Sequence, residues 1–458
     1  MITEDSEQKK QAHETGGMSG KKAAVLTLGC KVNDVESGSL IAGLKTLGYD
    51  VTNEHAYADL YIINTCAVTA EAERKSRQAV GRALKDNPNA KVIVCGCASE
   101  KSPEDFAEKE GVFCVFGAKS KQRVLDVVKS GFSAECAALG RESDAENGGK
   151  TADVYDEAIR PESMKTRNFV KIQDGCNRFC SYCVIPYLRG RSRSRSLESA
   201  AAEINESTAY ETVVTGIDVS DYRDGDRDIS DLLYAVKNAD TRIRFGSIEE
   251  SMITPRFLEA AKALKHFAPQ FHLSLQSGST AVLKSMNRKY TREQYLEKCR
   301  MIYEAFPDAA ITTDIIVGFP TETEEDFGQS LSIVSEADFF QVHAFPYSPR
   351  EGTASAKKYT DISAEVKKER LARMLAAAAE QKEKYLTERL GKTYTVIPET
   401  EEDGYYCGHA ENYAKCYIAG LRDKTPVKAK AVALYKDGYL CERIRTTAEE
   451  NEETAEKI

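Results

Sequence analysis

The sequence lacks a long apolar run, an apolar leader and an excess of positive charge. Its longest apolar stretches, such as 315–320, fall far short of the roughly 20 residues that a membrane-spanning helix needs. The polar segment 1–20 has no hydrophobic core of a secretory signal, and we treat it as a disordered leader outside the fold. The net charge of −9 gives no global sign of a nucleic-acid partner, although local patches decide such contacts.

The composition is that of a globular protein from a reducing compartment. Hydrophobic residues make up 41% and charged residues 29% of the chain, as in ordinary folded proteins. At about 150 residues per domain, the length suggests about three domains. The 13 cysteines come without an export signal, so ordered cysteine spacings favour metal binding or catalysis over disulfides. We therefore expect a cytoplasmic protein.

The first block, 21–146, alternates strand and helix patterns. Apolar segments at 23–28, 59–64 and 91–94 predict buried parallel strands, and helical spacing follows at 35–47 and 70–84. Such alternation favours a small open α/β sheet. The polar, glycine-rich stretch 140–156 is typical of a linker.

The second block, 165–362, contains six apolar strand candidates separated by helix-like segments. The candidates are 169–172, 212–215, 243–248, 271–275, 311–317 and 339–345. Six such repeats predict a partial relative of the eight-fold β/α barrel, whose chemistry lies at the carboxyl ends of its strands. The overall class is therefore α/β.

Two smaller segments complete the chain. Residues 363–390, rich in Ala, Glu, Lys and Leu, predict one long amphipathic helix that connects domains and is largely solvated. Residues 391–447 alternate apolar and polar side chains between turns, which predicts a small all-β barrel, a shape often used to bind oligonucleotides. The acidic tail 448–458 is predicted to be disordered.

The strongest local signal is a cysteine triplet just after the first strand of the second block. Cys176, Cys180 and Cys183 follow the pattern Cys-x3-Cys-x2-Cys. Three thiolates on one loop can hold three corners of a cubane iron–sulfur cluster and leave its fourth iron open. The alternative is a zinc site, but structural zinc takes four ligands and no fourth Cys or His lies nearby in sequence.

This motif, with Tyr182 directly before its third cysteine, resembles that of the radical S-adenosylmethionine (SAM) superfamily. The resemblance implies that the open iron binds the amino and carboxylate groups of SAM. Reductive cleavage of SAM then releases a 5′-deoxyadenosyl radical, which abstracts an unactivated hydrogen atom. The cofactors supply this chemistry, and the protein orients and shields it.

A second triplet, Cys30, Cys66 and Cys97, is too widely spaced to form a linear motif. Each cysteine, however, follows one of the three predicted strands of the first block. Because the carboxyl ends of parallel strands meet at one edge of a sheet, the three side chains can converge there on a second cluster. On residue type alone, buried core cysteines remain an equal alternative. Cys95 is interpreted as a packing residue.

Together the two triplets resemble the methylthiotransferase family of radical SAM enzymes, along almost the whole chain from about residue 21. The resemblance implies two [4Fe-4S] clusters: an auxiliary cluster in the N-terminal domain and the SAM cluster in the barrel. It also implies a C-terminal TRAM-like barrel that grips RNA. The hypothesis for the mechanism is that sulfur arrives from the auxiliary cluster and that a second SAM supplies the methyl group. We further expect a monomer and an electron donor of the flavodoxin or ferredoxin type.

The resemblance extends to strand ends of the barrel, which suggest contacts with SAM. Besides Tyr182, the candidates are Gly216, Glu249, Gln276, Arg288 and Gly318. Arg288 suits a carboxylate because it is always charged. Packing within the barrel remains an alternative for each of them, and Ser274 stands where the family often has proline.

The family has branches that act on threonylcarbamoyladenosine in tRNA, on isopentenyladenosine in tRNA and on an aspartate of a ribosomal protein. The stretches 27–33, 64–69 and 186–195 resemble the first branch most. This implies methylthiolation at C2 of N6-threonylcarbamoyladenosine at position 37. The isopentenyladenosine branch is the first alternative, and a non-catalytic zinc-cluster protein that binds RNA is the second.

Candidate RNA contacts lie in two places. Four arginines after the cysteine loop, Arg189, Arg191, Arg193 and Arg195, suggest phosphate binding at the anticodon loop, or else a merely solvated charged loop. In the last domain, 408–413 resembles a TRAM stretch, in which Tyr413 stacks on a base or belongs to the core. The remaining cysteines, at 114, 136, 299, 407, 416 and 441, are interpreted as structural or exposed thiols.

Overall fold

The structure is a computed structural model that describes residues 20–119, 121–133, 155, 160, 166–421 and 423–444. The predicted leader apart from Gly20, almost all of the predicted linker, the acidic tail and Cys136 lie outside the described residues.

The N-terminal domain is a five-stranded parallel sheet in the order β2-β1-β3-β4-β5. Its strands are β1 (Lys22–Thr27), β2 (Asp50–Thr52), β3 (Leu60–Thr65), β4 (Lys91–Gly96) and β5 (Val112–Val115). Its helices are α1 (Lys31–Thr46), α2 (Ala70–Asp86), α3 (Cys97–Lys101), α4 (Glu104–Ala107) and α5 (Lys121–Lys129). The three predicted strands are the three central ones, because only these contain four or more consecutive buried residues. The edge strands β2 and β5 were not predicted.

The central domain is the predicted partial barrel. Its strands are β6 (Arg167–Lys171), β9 (Glu211–Thr215), β10 (Arg242–Phe245), β11 (Ser247–Ile248), β12 (Gln270–Leu273), β13 (Ala310–Val317) and β14 (Gln341–Pro346). All neighbours are parallel, in the orders β6-β9-β10 and β11-β12-β13-β14. The third predicted strand is thus divided at Gly246 into β10 and β11. A short hairpin of β7 (Gln173–Asp174) and β8 (Arg193–Ser194) brackets the cysteine loop.

Helices cover the outside of this barrel. They are α6 (Ile185–Arg189), α7 (Leu197–Asn205), α8 (Ile229–Ala235), α9 (Pro255–Lys262), α10 (Thr280–Ser285), α11 (Arg292–Ala305), α12 (Glu324–Glu336) and α13 (Ala354–Lys358). The apolar core lies between helices and strands, where Val214, Ile243, Phe271 and Ile315 are fully buried. Alternate residues of the same strands therefore face the barrel interior.

The long helix α14 (Ala364–Glu388) is confirmed, but it is not a largely solvated connection. One side of it, including Met374, Ala378 and Tyr385, is buried against the barrel and the last domain. The Tyr385 hydroxyl donates a hydrogen bond to the carbonyl of Ala309 at 2.7 Å. The helix thus packs the two domains together.

The last domain is a closed five-stranded barrel in the order β15-β16-β17-β19-β18. Its strands are β15 (Thr393–Glu402), β16 (Tyr405–His409), β17 (Lys415–Ile418), β18 (Val427–Tyr435) and β19 (Gly438–Arg443). It docks on the barrel strands β6, β9 and β10. At this contact Arg167 pairs with Glu399, and Arg242 donates to the carbonyl of Thr395 at 3.1 Å. Within the described residues, no helix is long and apolar enough to cross a lipid bilayer.

Candidate cluster sites and the barrel interior

The three cysteines of the N-terminal domain meet at the carboxyl edge of its sheet. Cys30 precedes α1, Cys66 follows β3 and Cys97 begins α3. A Cβ atom on Gly29 would lie 2.5 Å from Cys66 Sγ, so the chain before Cys30 passes directly against that thiol. The charges of Cys30 and Cys66 both act on Cys97, and burial is the main cause that raises the pKa of the Cys97 thiol. The structure therefore brings together the predicted triplet.

Amide side chains fasten the loops that carry these cysteines. Asn33 donates to the carbonyls of Leu28 at 2.7 Å and Thr65 at 3.0 Å, while Asn64 donates to the carbonyl of Asn33. These hydrogen bonds fix the loops at the carboxyl edge of the sheet, beside the thiols. Cys95 lies elsewhere: it is fully buried in the core that includes Ile93, where burial raises the pKa of its thiol to about 12.

The second triplet lies on the loop between β7 and α6. Cys176 N–H donates to the carbonyl of Gly190 at 3.1 Å, and Cys183 N–H donates to that of Cys180 at 3.0 Å. Asn287 holds the loop from the other side, donating to the carbonyl of Phe179 at 2.8 Å. Burial raises the pKa of the thiols of Cys176 and Cys183 to about 12.

The donors around both triplets suit anionic, metal-bound sulfur. The backbone N–H groups of Val68 and Arg178 each lie 3.5 Å from a cysteine sulfur, on Cys66 and Cys176 respectively. An Arg288 guanidinium nitrogen lies 3.5 Å from Cys180 Sγ. N–H groups pointing at sulfur stabilise cluster thiolates. In the described chain, no three Cys, His, Asp or Glu side chains converge as they would around a single metal ion. The thiolates of an iron–sulfur cluster bind different iron atoms, so they do not need to converge on one point.

Three of the predicted SAM contacts lie together beside the cysteine loop. Glu249 and Arg288 form a buried ion pair, and the charges of both act on Tyr182. Burial is the main cause that raises the pKa of the Glu249 carboxyl. Sequence reasoning missed a second pair there, Arg178 and Asp218, 2.6 Å apart. Only weak signals in the sequence could have indicated this pair: Arg178 lies inside the cysteine motif, and Asp218 is two residues after Gly216.

The other three predicted SAM contacts occupy strand ends, where the structure shows backbone roles. A Cβ atom on Gly216 would lie 2.9 Å from the carbonyl of Gln173, and one on Gly318 would lie 2.6 Å from Lys367 Cγ. Gln276 has φ +72°, and its N–H donates to the carbonyl of Asp314 at 2.8 Å. These positions are thus built for close chain approach.

The predicted RNA-binding arginines separate into two kinds. Arg189 is almost fully buried, Arg193 pairs with Asp174 at 2.8 Å, and Arg195 pairs with Glu203 at 2.5 Å. For these three the structure corrects the prediction of phosphate binding, because protein carboxylates already hold their guanidiniums. Arg191 is exposed and lies 4.6 Å from the ring centroid of Phe179.

Arg189 belongs to a group of charged and polar side chains between the N-terminal domain and the barrel, which we call the junction network. Its members are Asn33, Glu36, Lys121, Lys171, Asp174, Arg189 and Arg193. The Arg189 guanidinium bonds Glu36 at 2.8 Å, Asp174 at 3.1 Å and, through Nε, Cys97 Sγ at 3.3 Å. A residue six positions after the barrel cysteines thus contacts a cysteine of the other triplet. A cleft of about 750 Å³, open to solvent, adjoins this network.

Tyr413 is half-buried at the contact between the barrel and the last domain. Its ring stacks on His409 with centroids 4.3 Å apart, and Arg244 lies 4.2 Å from its centroid. The ring therefore already has partners within the protein, which leaves little room for stacking on a base.

The barrel interior is lined by polar side chains rather than by aliphatic layers. Hydrogen bonds and ion pairs cross it from strand to strand, and the residues concerned are Arg167, Glu211, Arg242, Arg244, Gln270, His272, Thr312 and Asp314. His343 on β14 extends this set, its ring 5.9 Å from that of His272. We call these residues the polar interior. It makes the inside of the barrel a polar chamber, which at the first residues of β6 and β10 also meets the last domain.

A partial parallel barrel with three loop cysteines at its carboxyl end is the architecture of radical SAM enzymes. Residues 170–334 match the family described as "Radical SAM superfamily", and residues 22–117 match "Uncharacterized protein family UPF0004". A solved radical SAM methyltransferase, TsrM from Kitasatospora setae, shares the fold with a TM-score of 0.55 at 14% identity, over 74% of this chain and 77% of that one.

Curated relatives narrow the class. Threonylcarbamoyladenosine tRNA methylthiotransferase MtaB of Bacillus subtilis (strain 168) is 35% identical over 90% of this chain and 93% of the relative. The protein of the same name from Chlamydia pneumoniae is 37% identical over 85% and 90%. A tRNA-2-methylthio-N(6)-dimethylallyladenosine synthase of Bacillus subtilis (strain 168) is 36% identical over 83% and 77%. The chain belongs to the methylthiotransferase family of radical SAM enzymes, as the resemblance in sequence predicted.

Proposed function

We propose that this enzyme attaches a methylthio group to C2 of N6-threonylcarbamoyladenosine at position 37 of tRNA. The supporting observation is the match to relatives named for that nucleoside along nine-tenths of the chain. The convergence of Cys30, Cys66 and Cys97 at one sheet edge supports sulfur insertion, because it offers a second cluster site. A tRNA substrate implies that the enzyme works in the cytoplasm. Reductive cleavage of SAM needs an electron, and the proposed donor is a small protein of flavodoxin or ferredoxin type.

The cysteine loop of the barrel would hold the cluster that binds SAM, and bound SAM supplies a 5′-deoxyadenosyl radical when an electron reaches it. Arg288 and Glu249 would then orient the amino acid part of SAM, since a guanidinium suits the carboxylate and a carboxylate accepts hydrogen bonds from the amino group. The two side chains form an ion pair with each other, so binding of SAM would replace that pair by contacts with the cofactor. Tyr182 covers the loop from the side of Phe319 and Tyr347.

The exposed surface beside this loop offers a contact for the RNA. Tyr187 on α6 is 60% exposed, and its ring meets that of Phe179 edge to face, with centroids 5.7 Å apart. Exposed Arg191 lies over Phe179 as described above. We call Phe179, Tyr187 and Arg191 the aromatic entrance patch. Aromatic rings accept stacked bases and an arginine accepts phosphate, which together suit an anticodon loop. In this proposal the patch takes the place of the four-arginine phosphate site.

Nucleoside analysis tests the substrate. The reconstituted enzyme is incubated anaerobically with SAM, reductant and tRNA that carries either threonylcarbamoyladenosine or isopentenyladenosine at position 37. We expect the methylthio nucleoside from the first tRNA. Its absence there, with product from the second, would assign the enzyme to the isopentenyladenosine branch, which relatives such as the dimethylallyladenosine synthase represent.

Iron and sulfide quantitation tests the two clusters. Wild type is compared with Cys66→Ala and Cys176→Ala after the same anaerobic reconstitution. We expect each variant to lose about half of the iron, because each removes one ligand from one triplet only. Zinc in place of iron, or an unchanged iron content in Cys66→Ala, would contradict the second cluster.

A further inference from the structure

Lys31 is the first residue of α1 and directly follows Cys30. Its side chain is half-buried. Among the residues that the structure describes, none forms a hydrogen bond or ion pair with its ammonium group. A buried cation without a partner is costly, so such a residue needs an explanation.

The neighbours of Lys31 show where its ammonium group lies. The charges of Arg244, Glu211 and Arg167 act on it, and its own charge acts on His343. These four residues come from β10, β9, β6 and β14, which stand on both sides of the open edge of the barrel. Lys31 stands at the start of α1, and this helix packs against β6. Its side chain therefore lies at the face of the N-terminal domain that meets the polar interior.

The other cations of this chamber already have partners. The carboxylate of Glu211 bonds Arg167, Arg242 and Arg244 at 2.5 to 3.0 Å. Arg244 also donates to Gln270 at 3.2 Å. Lys31 therefore differs from the arginines around it, in that its charge remains to be matched.

The nucleoside of the proposed function carries one anionic group that fits. The threonylcarbamoyl substituent ends in a carboxylate, whereas the isopentenyl substituent is neutral and apolar. A charge-assisted contact to a carboxylate would relieve the buried ammonium, and an apolar group would leave it unmatched. The polarity of the chamber also favours the first substituent.

We infer that Lys31 binds the carboxylate of the threonylcarbamoyl group and so selects this nucleoside over isopentenyladenosine. The inference rests on the proposed function, since it names a group of that substrate. It also assigns a task to the residue beside Cys30: the start of α1 places the contact to the substituent directly next to a proposed cluster ligand.

Binding of synthetic anticodon stem-loops tests this inference without turnover. Stem-loops with threonylcarbamoyladenosine, isopentenyladenosine or plain adenosine at position 37 are titrated against the full-length, cluster-loaded protein. Wild type, K31Q and K31R are compared with K45Q. Lys45 lies on the same helix but is exposed at its far end, which makes it a matched control.

We expect wild type and K45Q to prefer the threonylcarbamoyl stem-loop. In K31Q this preference over plain adenosine should fall about tenfold or more, the value of a lost charged hydrogen bond. K31R should retain part of the preference because it keeps the charge. The affinity for the plain stem-loop should stay at the wild-type value in all variants, which also shows that they fold.

The outcomes separate the two proposals. If wild type modifies the threonylcarbamoyl tRNA and K31Q keeps its full preference for that stem-loop, the assignment of Lys31 is wrong and the proposed function stands. If wild type modifies only isopentenyladenosine, the proposed function fails and the assignment fails with it. A preference that K31Q loses and K31R partly restores supports the assignment.

Discussion

Replacing Glu211 by Gln tests the charge cluster that joins the barrel to the last domain. Glu211 is fully buried, and its carboxylate lies 2.5 Å from Arg167, 2.7 Å from Arg242 and 3.0 Å from Arg244. Gln keeps the size of the side chain and removes its charge, which leaves three buried guanidiniums without their shared counterion. Because two of these arginines also bond the last domain, the loss weakens its docking.

The magnitude follows from the pKa of Glu211. Burial opposes ionisation of this carboxyl, but Arg244, Arg242 and Arg167 outweigh it and lower its pKa from 4.5 to about 2. At about 1.4 kcal/mol per pKa unit, the ionised form stabilises the fold by about 3 kcal/mol. Removing one member of a buried pair costs a similar amount, about 3–5 kcal/mol. Because the pKa is lower in the folded state, the stabilisation is complete above about pH 5 and declines as the pH falls toward 2.

Urea unfolding of the metal-free, full-length protein at pH 7 and pH 3 measures this effect, since acid would destroy iron–sulfur clusters. At pH 7 E211Q should lose about 3 kcal/mol of unfolding free energy, and by pH 3 more than half of that difference should be gone. Glu198 provides the control, because its ion pair with Arg227 is exposed and E198Q should behave as wild type. Equal stability of E211Q and wild type at pH 7, or a loss undiminished at pH 3, would refute the reasoning.

Two further predictions concern the clusters and the RNA. R189Q should make the auxiliary cluster harder to reduce, because hydrogen bonds and positive charge at a cluster sulfur raise its potential. Redox titration followed by electron paramagnetic resonance measures this, and a potential equal to that of wild type would count against the contact with Cys97. Y187A should weaken anticodon stem-loop binding by about 1–3 kcal/mol, the value of one stacked base. Y234A, which removes another exposed tyrosine, is the control, and equal losses in both would contradict the entrance patch.

Much of the fold could be predicted because its strands appear as short apolar segments separated by helix-like segments. The three inner strands of the first sheet are nearly continuous apolar runs, whereas the barrel strands mix apolar with polar residues. A parallel arrangement follows from the helices between the strands. The edge strand β2 has three residues, too few for any period to show. The long helix was recognised by its composition, but burial of Tyr385 depends on the neighbouring domain and no pattern within the helix reveals it.

The candidate sites were predicted unevenly for a related reason. Both cysteine triplets could be proposed from the sequence, because one has a local spacing and the other follows strand ends. The arginines after the loop could not be sorted, since their partners are fixed only in three dimensions. Arg189 pairs with Glu36 from another domain, whereas Arg191, two residues further, is exposed. A run in which arginine alternates with glycine or serine looks the same in sequence whether it faces water or a domain junction.

The junction network explains how two cysteine triplets on separate sheets keep a fixed relation to one another. An apolar contact between the domains would hold them together but would tolerate sliding. Buried ion pairs do not, because a displaced partner leaves a charge without compensation. Arg189 bonds Glu36 and Cys97 of one domain and Asp174 of the other, so a shift of either domain would break several charged hydrogen bonds together. Lys31 lies on the same helix, α1, as Glu36 of the network, which means that the position of the proposed substrate contact depends on the same junction.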